Sequence, residues 1–156
     1  MRLGLVLVAL VGALLPGGGT AQEAPQCELQ MALEYPHEGA TFSAGAPLEV
    51  EGWAVDRAAE SGTGVLSVQA ALDVPREQGG TAYVAVHAAE RADVARLLGD
   101  EHYLYSGYRV DLPTADLETG LHTLYVTILT HCGWHTEARG VAILPSADSI
   151  ARVLVP

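Results

Sequence analysis

The sequence predicts an all-β domain, a two-sheet sandwich of short strands with one brief helical crossover, behind a cleaved export leader. Three observations carry this. Apolar residues recur with a period of two in segment after segment, turn residues punctuate the chain at short intervals, and the first 21 residues have a composition unlike the rest.

The leader comes first. Met1-Arg2 supplies a positive start, residues 3–15 are an almost unbroken apolar run, and Pro16 with Gly17-Gly18-Gly19 breaks it. Gly19-Thr20-Ala21 places small residues where a signal peptidase reads, so cleavage is expected after Ala21. The run is shorter than the ~20 residues that cross a bilayer, and no membrane span is expected once the leader is removed. Pro25-Gln26 ahead of Cys27 argues against a lipid anchor. The expected organisation is a signal peptide over 1–21, a sandwich domain over 22–145 and a tail over 146–156. The expected location is outside the cytoplasm, periplasmic or extracellular.

Short strands succeed the leader. Cys27, Leu29, Met31 and Leu33 alternate with polar neighbours, and Tyr35-Pro36 closes that segment. Glu38-Gly39-Ala40 reads as a turn. Leu48 and Val50 alternate with Glu49 and Glu51, and the phase then slips at Gly52 before Trp53 and Val55, as at a bulge or in a central strand buried on both sides. Leu66, Val68, Ala70 and Leu72 form the next strand. The polar loop 76–80 leads to one strand over 81–87, with Val84 and Val86 on one face. Residues 90–98 are the one helical candidate, with Val94, Leu97 and Leu98 on a shared face and Gly99 as its stop. Tyr108, Val110 and Leu112 alternate; Leu124, Val126 and Ile128 form the clearest strand; Val141 and Ile143 make the last. About seven strands at this spacing describe a sandwich.

Charge narrows the partners. All eight basic residues are Arg; seven stay after the leader leaves, against 19 acidic residues, a net charge of −12. Such a surface repels nucleic acid and anionic lipid, so neither is an expected partner. Cys27 and Cys132 are the only cysteines, and an even count in an exported chain points to a disulfide. Each sits in phase with its strand's apolar face. The alternative is a metal held by His131, Cys132 and His135 with Cys27 as fourth ligand. A calcium site at Asp56 or at Asp100-Glu101 is a second alternative, without EF-hand spacing. No nucleophile elbow, zincin pair, phosphate loop or C-x-x-C occurs, so no catalytic residue and no cofactor is expected.

Several short motifs, in order, resemble those of immunoglobulin-like modules in bacterial secreted and surface proteins. Glu51-Gly52-Trp53-Ala54-Val55-Asp56 resembles their GWAxD strand, and Gly64-Val65-Leu66-Ser67-Val68 the strand after it. Arg91-Ala92-Asp93-Val94-Ala95 resembles RPDVA with Ala92 in place of Pro, Ser106-Gly107-Tyr108 resembles SGF, and Gly120 to Val126 resembles G.HTL.V. The likeness spans about residues 36–144. It implies an immunoglobulin-like sandwich without chemistry of its own, used as a spacer or adhesive unit. Within it, Trp53 is expected to anchor the core. Arg91 and Asp93 would pair or cap the helical turn and fix an inter-sheet crossover. Ser106-Gly107 would bend the chain into its next strand.

The functional expectation is an exported, non-catalytic binding or structural surface whose partner is a protein or a cell-surface polysaccharide. A carbohydrate-binding alternative rests on Tyr103 and Tyr105, which project to one side if that loop is extended; exposed tyrosines stack on sugars or anchor interfaces.

Overall fold

A computed structural model describes residues 26–146. Its strands in chain order are β1 (Leu29–Tyr35), β2 (Ala40–Ser43), β3 (Leu48–Asp56), β4 (Ser67–Leu72), β5 (Tyr83–Val84), β6 (Val86–Ala89), β7 (Gly107–Leu112), β8 (Gly120–Thr130) and β9 (Gly133–Leu144); helix α1 is Ala92–Leu98. They form two sheets, ordered β1-β3-β7-β6 and β2-β9-β8-β4-β5. With the edge strands β2 and β5 set aside and the other seven lettered A to G in chain order, the first is the ABED sheet of the immunoglobulin fold and the second its CFG sheet, extended at its edges by β2 and β5. The fold is therefore the immunoglobulin-like sandwich expected. It is antiparallel throughout except at β2, which pairs parallel with β9.

Alternation builds the core. Leu48, Val50 and Ala54 of β3 and Tyr108, Val110 and Leu112 of β7 face Val68 and Ala70 of β4 and Leu124, Val126 and Ile128 of β8. A fully buried aliphatic side chain of this kind contributes about 1.5–3 kcal/mol.

The phase of β3 runs straight through Gly52, which is the inward residue between Val50 and Ala54. The bulge lies on the neighbouring strand, because Leu33 pairs with Gly52 and Tyr35 with Glu51, leaving Glu34 as the extra residue. Trp53 consequently faces outward, half-buried, and is no core anchor. The inward slot that Gly52 leaves empty is filled by the Tyr108 ring, whose hydroxyl donates to the Ala32 carbonyl at 3.3 Å.

Other elements also differ from expectation. The single strand over 81–87 is two: β5 belongs to the β4 sheet, β6 to the β7 sheet, and the buried Ala85 is where the chain changes sheet. Val84 and Val86 are both exposed. Helix α1 starts at Ala92, buries Val94 and leaves Leu97 in solvent. It joins β6 to β7, neighbours in one sheet, so it is no inter-sheet crossover.

The disulfide is present. Cys27 and Cys132 are joined with Cα atoms 6.1 Å apart, linking the residue two before β1 to the turn between β8 and β9. The bridge sits at the sandwich margin, with Cys132 exposed, instead of in the core.

Candidate binding surface

Each sheet has an outward face, and the two differ in charge. On the β1-β3-β7-β6 sheet the outward positions include Glu49, Glu51, Arg109 and Asp111. Arg109 pairs with Glu49 and, at 3.1 Å, with Glu51. On the other sheet the inward phase of Leu124, Val126 and Ile128 turns Leu121, Thr123, Tyr125, Thr127 and Leu129 outward. Register then places Trp134, Thr136, Ala138, Gly140, Ala142 and Leu144 of β9 on the same face, with Gln69 of β4 and Val84 of β5. No outward strand position on this face is ionised.

Four large apolar side chains there stand in solvent: Leu121 at 89 % exposure, Val84 at 68 %, Leu144 at 47 % and Trp134 at 42 %. Leu121, Thr123, Gly140 and Ala142 line a shallow groove of about 340 Å³. Two charged side chains reach the face from loops. Glu38 lays its carboxylate over Gly140, with Oε1 2.6 Å from where a Cβ would sit, and accepts that residue's N–H. Arg76 stacks over the Trp134 ring, 4.2 Å from its centroid. The signal for this face was the absence of charge in the second phase of the β8 segment. The full extent of β9 was hidden by Glu137 and Arg139, which point inward at the margin. There Arg139 donates to the carbonyls of Leu33 and Pro36 and pairs with Glu137.

The predicted site residues fall elsewhere. Tyr103 and Tyr105 form no shared face: residues Glu101–Tyr103 are a 3₁₀ turn, with the Asp100 carboxylate accepting the His102 N–H. That turn drives Tyr103 inward to 5 % exposure and leaves Tyr105 at 56 %. A larger hollow of about 670 Å³ lies beside this turn and α1, lined by Ala92, Ala95, Arg96 and Leu104 among others.

Asp56 is buried, and its Oδ1 accepts the N–H groups of Glu28 and Ala58, so it ties loops together. Among the described residues no group of three His, Cys, Asp or Glu is placed to hold a metal, and both sulfurs of the alternative thiolate set are in the expected bridge. Arg91 and Asp93 do pair, through two hydrogen bonds, and Arg91 also grips Glu34 at the β1 bulge. The hydrogen bonds from Arg91 hold the Asp93 carboxyl at about 2. Asp93 and Glu34, in that order, push the Arg91 guanidinium up. Ser106 and Gly107 are buried at the start of β7, where a side chain on Gly107 would press on Ala89 and Arg91.

His122 forms a further cluster. Its Nδ1 faces Asp73 Oδ2 at 2.7 Å and its Nε2 faces the Glu118 carbonyl at 2.8 Å. Both partners only accept, so the protonated imidazole is the form that satisfies both contacts. The Asp73 hydrogen bond raises this imidazole's pKa.

No family model matches the chain, and no curated protein does. Solved structures do resemble it. An endo-β-1,4-mannanase from Thermotoga petrophila superposes with a TM-score of 0.51 at 11 % identity, over 81 % of this chain and 22 % of the enzyme. A modular endo-β-1,4-mannanase from Cellulomonas fimi gives 0.39 at 16 % identity, over 78 % and 19 %. A titin M10–obscurin-like 1 Ig complex gives 0.38 at 14 % identity, over 77 % and 97 %. The chain spans about a fifth of either mannanase. The Thermotoga likeness shows a shared fold and nothing more. The strand topology defines the chain as an immunoglobulin-like sandwich. Among the described residues no helix is long and apolar enough to cross a membrane, and the disulfide fits an oxidising compartment.

Proposed function

We propose that this protein is an exported, non-catalytic immunoglobulin-like module that works by contact through the outward face of the β2-β9-β8-β4-β5 sheet. The observation that carries the reading is that face: Leu121, Val84, Leu144 and Trp134 exposed together on an otherwise acidic domain. Leu121 and Leu144 stand at one end of the face, with Trp134 at the other end of β9 and Val84 on its far edge. Large apolar side chains exposed on an uncharged sheet face favour contact with a partner. The ordered motifs from Gly52-Trp53 to Gly120-Leu121 support grouping the chain with the modules of bacterial secreted and surface proteins. The leader and the Cys27–Cys132 bridge support export.

Two measurements test this. Mass spectrometry of the protein from its own cells is expected to find a chain starting at Gln22 with the bridge intact; retention of residues 1–21 or reduced thiols would sink the export half. Affinity capture from envelope and medium is expected to enrich a component with the wild type and lose it with Trp134→Asp. Identical material on both proteins, or none on either, would sink the binding half.

A further inference from the structure

We propose that His122 is a pH-operated clamp, which as the imidazolium ties together two connections at one end of the sandwich and as the neutral ring lets one of them go. The connections are residues 73–82, between β4 and β5, and residues 113–119, between β7 and β8. They flank a hollow of about 380 Å³, lined by Leu72, Val74 and Tyr83 from the first and its strands and by Pro113 and Leu117 from the second. His122, near the start of β8, reaches both connections through its Asp73 and Glu118 contacts. The two walls are held unequally. Asp73 has a left-handed backbone, φ 60°, a conformation that aspartate tolerates. From there its N–H donates to the Thr123 carbonyl at 2.8 Å, and its Oδ1 accepts the Thr123 N–H at 3.0 Å. That wall stays on β8 whatever the charge of the ring. The second wall is anchored at its start, where the buried Thr114 hydroxyl donates to the Ala46 carbonyl and accepts the Gly45 N–H. The Leu117 N–H then donates to the Thr114 carbonyl at 3.2 Å. Past Leu117, the contact that returns this connection to β8 among the described residues is His122 Nε2 to the Glu118 carbonyl.

Loss of one proton acts on that contact selectively. A neutral imidazole carries a single N–H, and the Asp73 carboxylate is a stronger acceptor than a peptide carbonyl, so the proton stays on Nδ1. Nε2 then turns a lone pair towards the Glu118 oxygen 2.8 Å away. Two acceptors at that distance repel. With the ring only 10 % exposed, water reaches neither of them until the carbonyl moves. Residues 115–119 are thereby released from β8, and Leu117 is drawn from the wall of the hollow. The charged groups that face the ring are Asp73, the Glu118 side chain and, across the groove beside β9, Glu38; β9 itself sets Val141 opposite. All three are carboxylates and favour the imidazolium. The clamp is therefore closed in acid and opens as pH rises through the folded histidine's value, above 6.5.

The test is NMR of the disulfide-bonded protein between about pH 5 and about pH 9. Protection of the Leu117 amide from solvent exchange, with the intrinsic pH dependence divided out, is expected to fall at least about fivefold as His122 titrates, the worth of one hydrogen bond. The Val126 amide, in the body of β8, is expected to keep its protection. Imidazole nitrogen shifts on the alkaline side are expected to show the remaining proton on Nδ1. In His122→Gln the Leu117 protection loses its pH dependence. In Asp73→Asn, which keeps an acceptor for the Thr123 N–H, the midpoint moves to lower pH; thermal melts show that each variant is folded. A Leu117 amide indifferent to the His122 titration overturns the proposal, as does a neutral ring protonated on Nε2. So does a pH dependence that survives His122→Gln, or a midpoint unmoved by Asp73→Asn. Should a variant fail to fold, the two wild-type measurements decide the matter.

Discussion

Replacing Gly52 by Ala tests the packing that joins the two central elements of the β1-β3-β7-β6 sheet. A Cβ there would overlap the Ala32 carbonyl oxygen and sit 2.5 Å from the Tyr108 hydroxyl and 2.7 Å from its Cζ. The carbonyl belongs to the strand backbone and cannot move without parting β1 from β3. Tyr108 is buried among Val50, Ala54 and Val110, so its ring has no free space to enter. Overpacking of this kind costs about 1–3 kcal/mol. Losing the Tyr108-to-Ala32 hydrogen bond adds about 1 kcal/mol. The expected loss is about 2–4 kcal/mol, or about 8–16 °C in melting temperature for a domain of this size. The assay is urea and thermal unfolding of the oxidised protein, monitored by tryptophan fluorescence and circular dichroism. In a Tyr108→Leu background part of the clash is gone, so the same substitution should cost less by about 1 kcal/mol or more. A Gly52→Ala protein within about 0.5 kcal/mol of wild type would refute this account of the glycine.

The remaining contacts carry further expected outcomes. Replacing both cysteines by Ala opens a closure spanning 105 residues and is expected to lower stability by about 4 kcal/mol, read as a fall in urea midpoint. His122→Gln removes a charged donor held by Asp73 and Glu118 and should cost about 1–2 kcal/mol at pH 6. Because the folded imidazole has a raised pKa, its stabilisation is complete below the ordinary histidine value of 6.5. It fades as pH rises through the folded value, so wild type and variant should converge in melting temperature on the alkaline side. For Asp93 the sign is opposite: held at about 2, its contribution is present above 3.8 and disappears as pH falls towards 2. An NMR titration of Arg91→Ala should return that carboxyl close to 3.8.

The strands that sequence reasoning found are those whose order is local. Leu124, Val126 and Ile128 alternate on a strand with partners on both sides, so burial imposes the pattern directly. β2 escaped because it is four residues long, contributes only Phe42 to the core, and is held by parallel pairing with residues about a hundred positions later. The fault over 81–87 has a similar source: Ala85 is too small to announce itself as the inward residue at which the chain changes sheets. Trp53 misled because size suggests a core anchor, while a strand position is decided by phase. Here the inward slot belongs to Gly52 and is filled from β7. The tyrosine pair failed because the 3₁₀ turn capped by Asp100 rotates Tyr103 away from Tyr105. The sheet face was legible only in part, since its width depends on register between β8 and β9, and register is not a property of either segment alone.

The position of the disulfide has a mechanical consequence. It fastens the start of the described chain to residue 132, so tension applied at the two ends bypasses β1 through β8 and runs through the bridge. Only the chain beyond Cys132 can be drawn out, chiefly the twelve residues of β9, about 40 Å of fully extended chain. With the bridge reduced, every strand becomes available to the pull. A domain built this way lengthens briefly and then holds, and the redox state of its surroundings decides how far it gives.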